Sequence, residues 1–494
     1  MIKSYINSGV YIGEITLRKS DKHRKIMRRR IIATVSFLFV ITLVLGVVIF
    51  GAVQGYKYFF PNGFQLVPEI ETASAGESST EEEEKESEES EETKANDEPA
   101  RSSEDMASEY ESVMNEEVST SRVVDIENLL ARMTLEQKVA QLFFVTPEAV
   151  TGFGQVTEAG SVTQTALSER TPGGIIYFDK NLLNKDQTKA LLTGTQKYAM
   201  EASGIPILLG VDEEGGAVAR IAKNGDFGIE NTDSMEKIGK SGDTDNARKA
   251  GEHIGEYLSD LGFNVDFAPV ADVQMEDGSS AIGDRSFGSD AGLVSSMALS
   301  LSDGLKENGI IPCMKHFPGF GRADENTDFA YVKLGTELSS LESKDLIPYA
   351  DAINNGTNMI MAGNMSFPAI SGDDRPACMS STIITDVLRK KMGYNGVVIT
   401  DALSAEAVVS KYSSGEAAVA VIKAGGDMLL MPKDYNEAYQ AVMDAVSDET
   451  ITEDRIDESV RRILTVKLET AAARDMGDIP PAEVHETVSE DVEE

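Results

Sequence analysis

The chain has 494 residues, with 45 Lys+Arg against 83 Asp+Glu, a formal net charge of −38, two Cys and no Trp. Two cysteines cannot build a disulfide-stapled scaffold, and this excess of negative charge opposes general nucleic-acid binding, which needs fields of Lys and Arg on phosphate. The length allows two or three domains of roughly 150 residues, although one α/β barrel absorbs about 250 or more.

In chain order, residues 1–30 carry nine Lys/Arg against two acids and read as a basic cytoplasmic tail, and residues 31–53 then run without a charge. An apolar run of this length crosses a hydrocarbon core of about 30 Å as one helix. Arg28, Arg29 and Arg30 before it belong inside the cell, and Tyr56, Tyr58, Phe59 and Phe60 after it suit the opposite interface. The expectation is a single-pass anchor in the cell membrane with the rest of the chain extracellular. A cleaved signal peptide competes, but the run exceeds the usual length of about 7–15 residues and no A-x-A site follows closely.

Residues 54–122 read as an extended stalk. Between 77 and 121 there are eighteen acids and three bases, a Ser/Glu-rich composition that cannot bury enough apolar surface to offset its ordering entropy. A cation- or partner-binding arm is the alternative, and a solvated spacer is the simpler account. Residues 474–494 are acidic again and read as a frayed tail.

Residues 123–473 have ordinary globular composition. Short apolar runs recur there at 142 (LFFVTP), 173 (GGIIYF), 207 (ILLGVD), 265 (VDFAPV), 312 (PCMKHF), 359 (MIMAGN), 396 (GVVITD) and 427 (DMLLMP). Each is too short for an amphipathic helix, and helix-like stretches separate them. Among those stretches, 246–261 and 438–446 have apolar residues three and four apart, and Thr134 to Gln137 has the form of a capping box. Eight such runs predict an α/β fold, a parallel TIM (β/α)₈ barrel. A doubly wound open sheet lacks support, because no GxGxxG turn follows the first runs.

Several runs end in polar residues: Asp212, Lys315 with His316, Asn364 and Asp401. Any one of them is as well explained by a cap, but a barrel opens all its strand ends on one face, so together they predict a polar pocket. Glycoside cleavage with retention needs a carboxylate nucleophile and a proton donor. Asp401, after a rigid strand, has the placement of the nucleophile. Asp212 can accept paired hydrogen bonds from sugar hydroxyls before a Gly215-Gly216 turn that lets backbone approach a ligand. Glu213 and Glu214 read equally as turn or cap residues.

The motifs KHFPGFG (315–321), VDEEGGAVAR (211–220), IGDRSFG (282–288), VDFAPVADV (265–273), VITDALS (398–404) and AGGDMLLMP (424–432) resemble, in order, the barrel domain of family 3 glycoside hydrolases. The closest likeness is to single-domain bacterial β-N-acetylhexosaminidases, and it runs from about residue 123 to 468, with MTLEQKVAQLFFV and PGGIIYFDKNL matching the opening of that domain. The resemblance implies that Asp401 forms a covalent glycosyl-enzyme. It also implies that Asp212, Arg220, Arg285, Lys315 and His316 grip the sugar. The implied substrate is a carbohydrate with a non-reducing terminal β-linked N-acetylglucosamine, as in cell-wall or glycan turnover. No metal or organic cofactor is implied, and a monomer is expected.

The proton donor departs from the family pattern. After KHFPGHG these hexosaminidases carry Asp-Ser/Thr-His, with the His as acid/base and the Asp as its partner. Here Phe320 replaces the motif His, Asn326 replaces the partner Asp, and Asp328 stands at the acid/base position. An Asp can donate the proton if burial or the charge of Asp401 raises it from about 3.9, and Asp324 or Glu325 are alternatives on the same loop. The competing reading is a glycan-binding surface protein with impaired catalysis. A β-glucosidase specificity would usually bring a second α/β sandwich domain, for which too few residues follow the barrel.

The remaining features read as structural. Cys313 sits in the fifth run as a small core residue, Cys378 lies in a loop, and their pairing is open. The Met residues of MIMAGNM and DMLLMP are expected in the barrel interior. Gly215, Gly216, Gly319 and Gly321 are expected in tight turns.

Overall fold

The computed structural model describes residues 125–470. The basic tail, the apolar run, the stalk and the acidic tail lie outside the described residues. Among the described residues, no helix is long and apolar enough to cross a membrane.

Each apolar run becomes a strand: β1 (Phe143–Val145), β2 (Gly174–Ile176), β3 (Leu208–Val211), β6 (Val265–Asp266), β7 (Ile311–Phe317), β8 (Met359–Ala362), β9 (Val397–Thr400) and β10 (Leu429–Leu430). These eight pair in parallel in the order β10-β1-β2-β3-β6-β7-β8-β9. A parallel bridge from Ile399 to Met428 brings β9 against β10 and closes the ring. Two further strands escaped prediction: β4 (Glu213–Gly215) and β5 (Val218–Ala219) form an antiparallel hairpin directly after β3.

Phe144 fills the barrel interior, edge-on to Phe267 at 5.1 Å. Glycines make room for it: a Cβ at Gly174 would lie 2.4 Å from the Phe144 ring, and one at Gly210 would lie 2.8 Å from it. Outside the ring, helix α1 (Leu135–Gln141) opens with the expected capping box, Thr134 Oγ1 accepting from Gln137 N and Gln137 Oε1 from Thr134 N. Helices α2 (Thr244–Leu261) and α3 (Ala291–Glu307) cross at contact distance. Gly251 and Gly304 permit this, since a Cβ on either would meet backbone oxygen of the other helix at 2.1 and 2.3 Å. Helices α4 (Tyr435–Ser447) and α5 (Glu453–Lys467) end the described chain.

At the start of β9 and β10, Asp427 is sealed from solvent and binds Arg462 at 3.1 Å, Ser459 Oγ at 2.7 Å, Val398 N at 2.9 Å and Arg389. Burial opposes its charge, but Arg389, Arg462 and Arg455 hold its carboxyl below the ordinary range. This cluster ties α5 to the strand starts, and the opposite, C-terminal ends are left for chemistry.

Candidate active site

The C-terminal ends of the parallel strands share one mouth, and a cavity of about 530 Å³ opens there. Asp212, Arg220, Arg285, Lys315, His316, Asp328 and Asp401 all line it, although they are spread over nearly two hundred positions. Asn364, at another strand end, lies behind the wall and not on it.

Asp401 follows β9 and stays in the ladder through its N–H to Ala362 O at 2.8 Å. Its Oδ1 accepts from Ala402 N at 2.7 Å. Among the described residues, Oδ2 has no hydrogen-bond partner. Burial raises its carboxyl above the usual value; His316 opposes this, the negative charge of Asp328 adds to it, and the Ala402 N–H and Lys315 oppose it in turn.

Lys315, on β7, places Nζ 2.8 Å from Asp212 Oδ1 and 2.6 Å from Glu214 Oε1. Arg285 grips Glu214 with two parallel bonds, at 2.8 and 2.7 Å. Burial would lower Lys315, yet Asp212 and Glu214 outweigh it and hold the ammonium charged well above its ordinary value. Burial likewise would raise Glu214, but Lys315 and Arg285 hold it well below the carboxylate range. The result is a dry, charge-balanced floor.

His316 is set by Asp272, which is fully buried. Asp272 Oδ2 lies 2.8 Å from His316 Nδ1, while Oδ1 accepts the backbone N–H groups of His316 and Phe320 at 3.2 and 2.6 Å. The carboxylate therefore fixes both the ring and the loop behind it. Phe320 meets the imidazole edge-on at 5.7 Å, where the family pattern has a second His. Arg220 is carried by the hairpin. Glu213 accepts its N–H and those of Ile221 and Ala222, so Glu213 is a turn carboxylate as one reading expected. Arg220 Nε is buried and has no hydrogen-bond partner among the described residues.

Asp328 stands exposed at the rim, not buried as one route to its function requires. Asn326 does not partner its carboxylate; its Oδ1 accepts the Asp328 N–H at 2.8 Å. The loop is stitched to the segment after Asp401 by Ala407 N to Thr327 O at 3.1 Å and Glu406 N to Asp328 O at 3.3 Å. Asp324 and Glu325 are exposed and do not line the cavity, which removes them as donors to it.

Three expectations change. Gly215 and Gly216 do adopt positive φ, 85° and 52°, but the atoms they approach are Thr232 and Ser234, so the turn packs against its own chain and not a ligand. Met361 and Met431 line the cavity and are not confined to the interior. Glu214 and Asp272 carry the electrostatics of the site, whereas the sequence reads Glu214 as a turn or cap residue and does not single out Asp272. Glu214 was visible in the acidic run after β3, and Asp272 in VDFAPVADV, but only the fold shows which acids turn inward. Cys313 and Cys378 are both buried free thiols.

A closed parallel barrel with paired carboxylates, cations and an imidazole at a sugar-sized mouth defines a glycoside-processing class. The chain belongs to glycosyl hydrolase family 3: the Glycosyl hydrolase family 3 N terminal domain matches residues 134–466. The chain is 30% identical over 326 residues to beta-hexosaminidase A of Pseudoalteromonas piscicida, a match covering 61% of this chain and about half (54%) of that one. It is 29% identical over 347 residues to beta-hexosaminidase LpqI of Mycobacterium tuberculosis, covering 68% and 84%. A solved family 3 beta-N-acetylglucosaminidase from Paenibacillus sp. str. FPU-7 is similar at TM-score 0.65 and 33% identity, over 73% of this chain and 66% of that one.

Proposed function

We propose that this protein is a retaining, exo-acting β-N-acetylhexosaminidase that removes terminal β-N-acetylglucosamine from cell-wall or other glycans. The observation that carries the reading is that Asp401 shares one cavity with Asp212, Arg220, Arg285, Lys315 and His316. Asp401 Oδ2 attacks the anomeric carbon as the glycosidic bond breaks, and Asp328 gives its proton to the leaving oxygen. Water then cleaves the glycosyl ester, with Asp328 taking its proton back as base. The Asp212–Lys315–Glu214–Arg285 network presents fixed charges to ring hydroxyls without reorganisation. The hexosaminidase names of the relatives support the substrate class. The chain acts as a monomer, anchored through residues 31–53 in the cell membrane with the barrel outside.

A second reading is glycan binding with little turnover. It draws on Phe320 and Asp328 standing where the family pattern has imidazoles, since losing a general acid costs about 10²–10⁴-fold. Assay of the full chain and of Asp401→Ala on an aryl β-N-acetylglucosaminide and on a natural disaccharide separates the two. The proposal expects turnover that Asp401→Ala abolishes; equal background from both proteins contradicts it.

A further inference from the structure

The run at 359 ends in Asn364, a strand-end polar residue that the chemistry above leaves without a task. Asn364 is fully buried. Its Nδ2 donates to Ala402 O at 2.9 Å, and its Oδ1 accepts from Cys378 Sγ at 3.3 Å. Ala402 is the residue whose N–H binds Asp401 Oδ1 at 2.7 Å. Cys378 is held in turn by its own N–H to Gly363 O at 3.2 Å.

A primary amide between a thiol and a carbonyl has one good orientation: the oxygen takes the S–H and the NH₂ gives to the carbonyl. Rotated the other way, the amide nitrogen would face the thiol and its oxygen would oppose the Ala402 carbonyl. We propose that Asn364 is a positioning residue for the reaction. By holding Ala402 from its carbonyl side, it aims the Ala402 N–H at Asp401 Oδ1 and leaves Oδ2 as the oxygen presented to the cavity, with the Cys378 thiol fixing the amide. The inference rests on Asp401 being the nucleophile.

A purely structural Asn would only satisfy a loop carbonyl, whereas a positioning Asn also controls the charge of Asp401. The groups that act on Asp401 are Lys315 and His316 from β7, Asp328 from the loop after it and the Ala402 N–H, and Asp401 in turn raises the Cys378 thiol after β8. Asp212, Glu214 and Arg285 stand behind Lys315. The Ala402 N–H favours the ionised carboxylate, so loosening it raises the carboxyl and moves the acid limb of activity upward in pH.

The test measures kcat and KM against pH for the full chain, with Asn364→Ala, Cys378→Ala and Cys378→Ser, on an aryl β-N-acetylglucosaminide. Asn364→Ala is expected to lower kcat on the order of 10- to 100-fold with little change in KM. Its acid limb moves to higher pH, so the loss is greater in acid than at neutrality. Cys378→Ala shifts the limb the same way by less, and Cys378→Ser, which keeps a donor, stays with the wild type. An acid limb unmoved in Asn364→Ala overturns the inference. If Asn364→Ala does not fold, a Cys378→Ala limb that superimposes on Cys378→Ser overturns it as well. Failure of the underlying glycosidase reading looks different: the wild type itself then matches Asp401→Ala.

Discussion

Lys315 Nζ lies 2.6 Å from Glu214 Oε1, and neither side chain is more than 3% exposed. A pair so dry is retained only while its partners are complete, because one charge left alone pays the full desolvation cost. Glu214→Gln should therefore destabilise the protein by about 3 kcal/mol in urea unfolding at neutral pH. The Glu214 carboxyl is held well below the range of about 4.3 that it has when unfolded. Its contribution is thus complete above that value and is lost as pH falls through the depressed one, so the gap between wild type and variant should close only in strong acid. A gap that closes near neutrality contradicts this.

Asp401 bears the opposite shift. Burial raises its carboxyl, and the charge of Asp328 adds to the rise. Since attack needs the carboxylate, kcat/KM should fall as pH drops through a value above the ordinary Asp range. Asp328→Asn replaces the carboxyl that gives the leaving oxygen its proton with an amide that cannot serve as the acid. The same variant should harm a natural disaccharide far more than an aryl glycoside, whose leaving group needs no proton. A uniform small effect on both substrates would remove Asp328 as the acid.

Asp272 takes three hydrogen bonds, from His316 Nδ1, His316 N and Phe320 N. An amide cannot accept all three, so Asp272→Asn should free the imidazole and the loop together. The expected result is a fall in kcat/KM of about 10²-fold, with about 2 kcal/mol lost in stability. Steady-state kinetics beside a thermal melt check both, and full activity would show that His316 needs no such support.

Far from the mouth, Lys467 is buried against Gln141 Oε1 at 2.6 Å with no countercharge among the described residues, and burial pushes it down to about 7. The unfolded chain keeps that proton up to about 10.4. Between these two values folding sheds a proton, so stability gains up to about 1.4 kcal/mol per pH unit from this group as pH rises. Lys467→Met should lack that slope in denaturant titrations at several pH values, and a constant difference from the wild type would contradict the assignment.

The eight strands were legible because each is a short apolar run bounded by turns, and Asp401 and Lys315 were legible because they end such runs. The β4–β5 hairpin was not, since Glu213 to Ala219 is too polar and too brief to carry a strand period. Glu214 and Asp272 were hidden for a related reason: an acid's type says nothing of whether it faces solvent or a buried cation. Two strands shrank to Val265–Asp266 and Leu429–Leu430, flanked by isolated bridges such as Val270 to Lys315 and Met428 to Ile399 in place of a continuous ladder. The pattern sees apolar residues, but ladder length depends on backbone geometry.

A covalent bond between Asp401 and the sugar is the step on which the proposed reaction turns. Exposure of the full chain to a fluorinated N-acetylglucosaminyl fluoride, which forms the glycosyl ester but hydrolyses it slowly, tests that bond by peptide mass spectrometry. One sugar increment is expected on the peptide that carries Asp401, absent in Asp401→Ala. An increment on another residue, or turnover of ordinary substrate by Asp401→Ala at the wild-type rate, would contradict it.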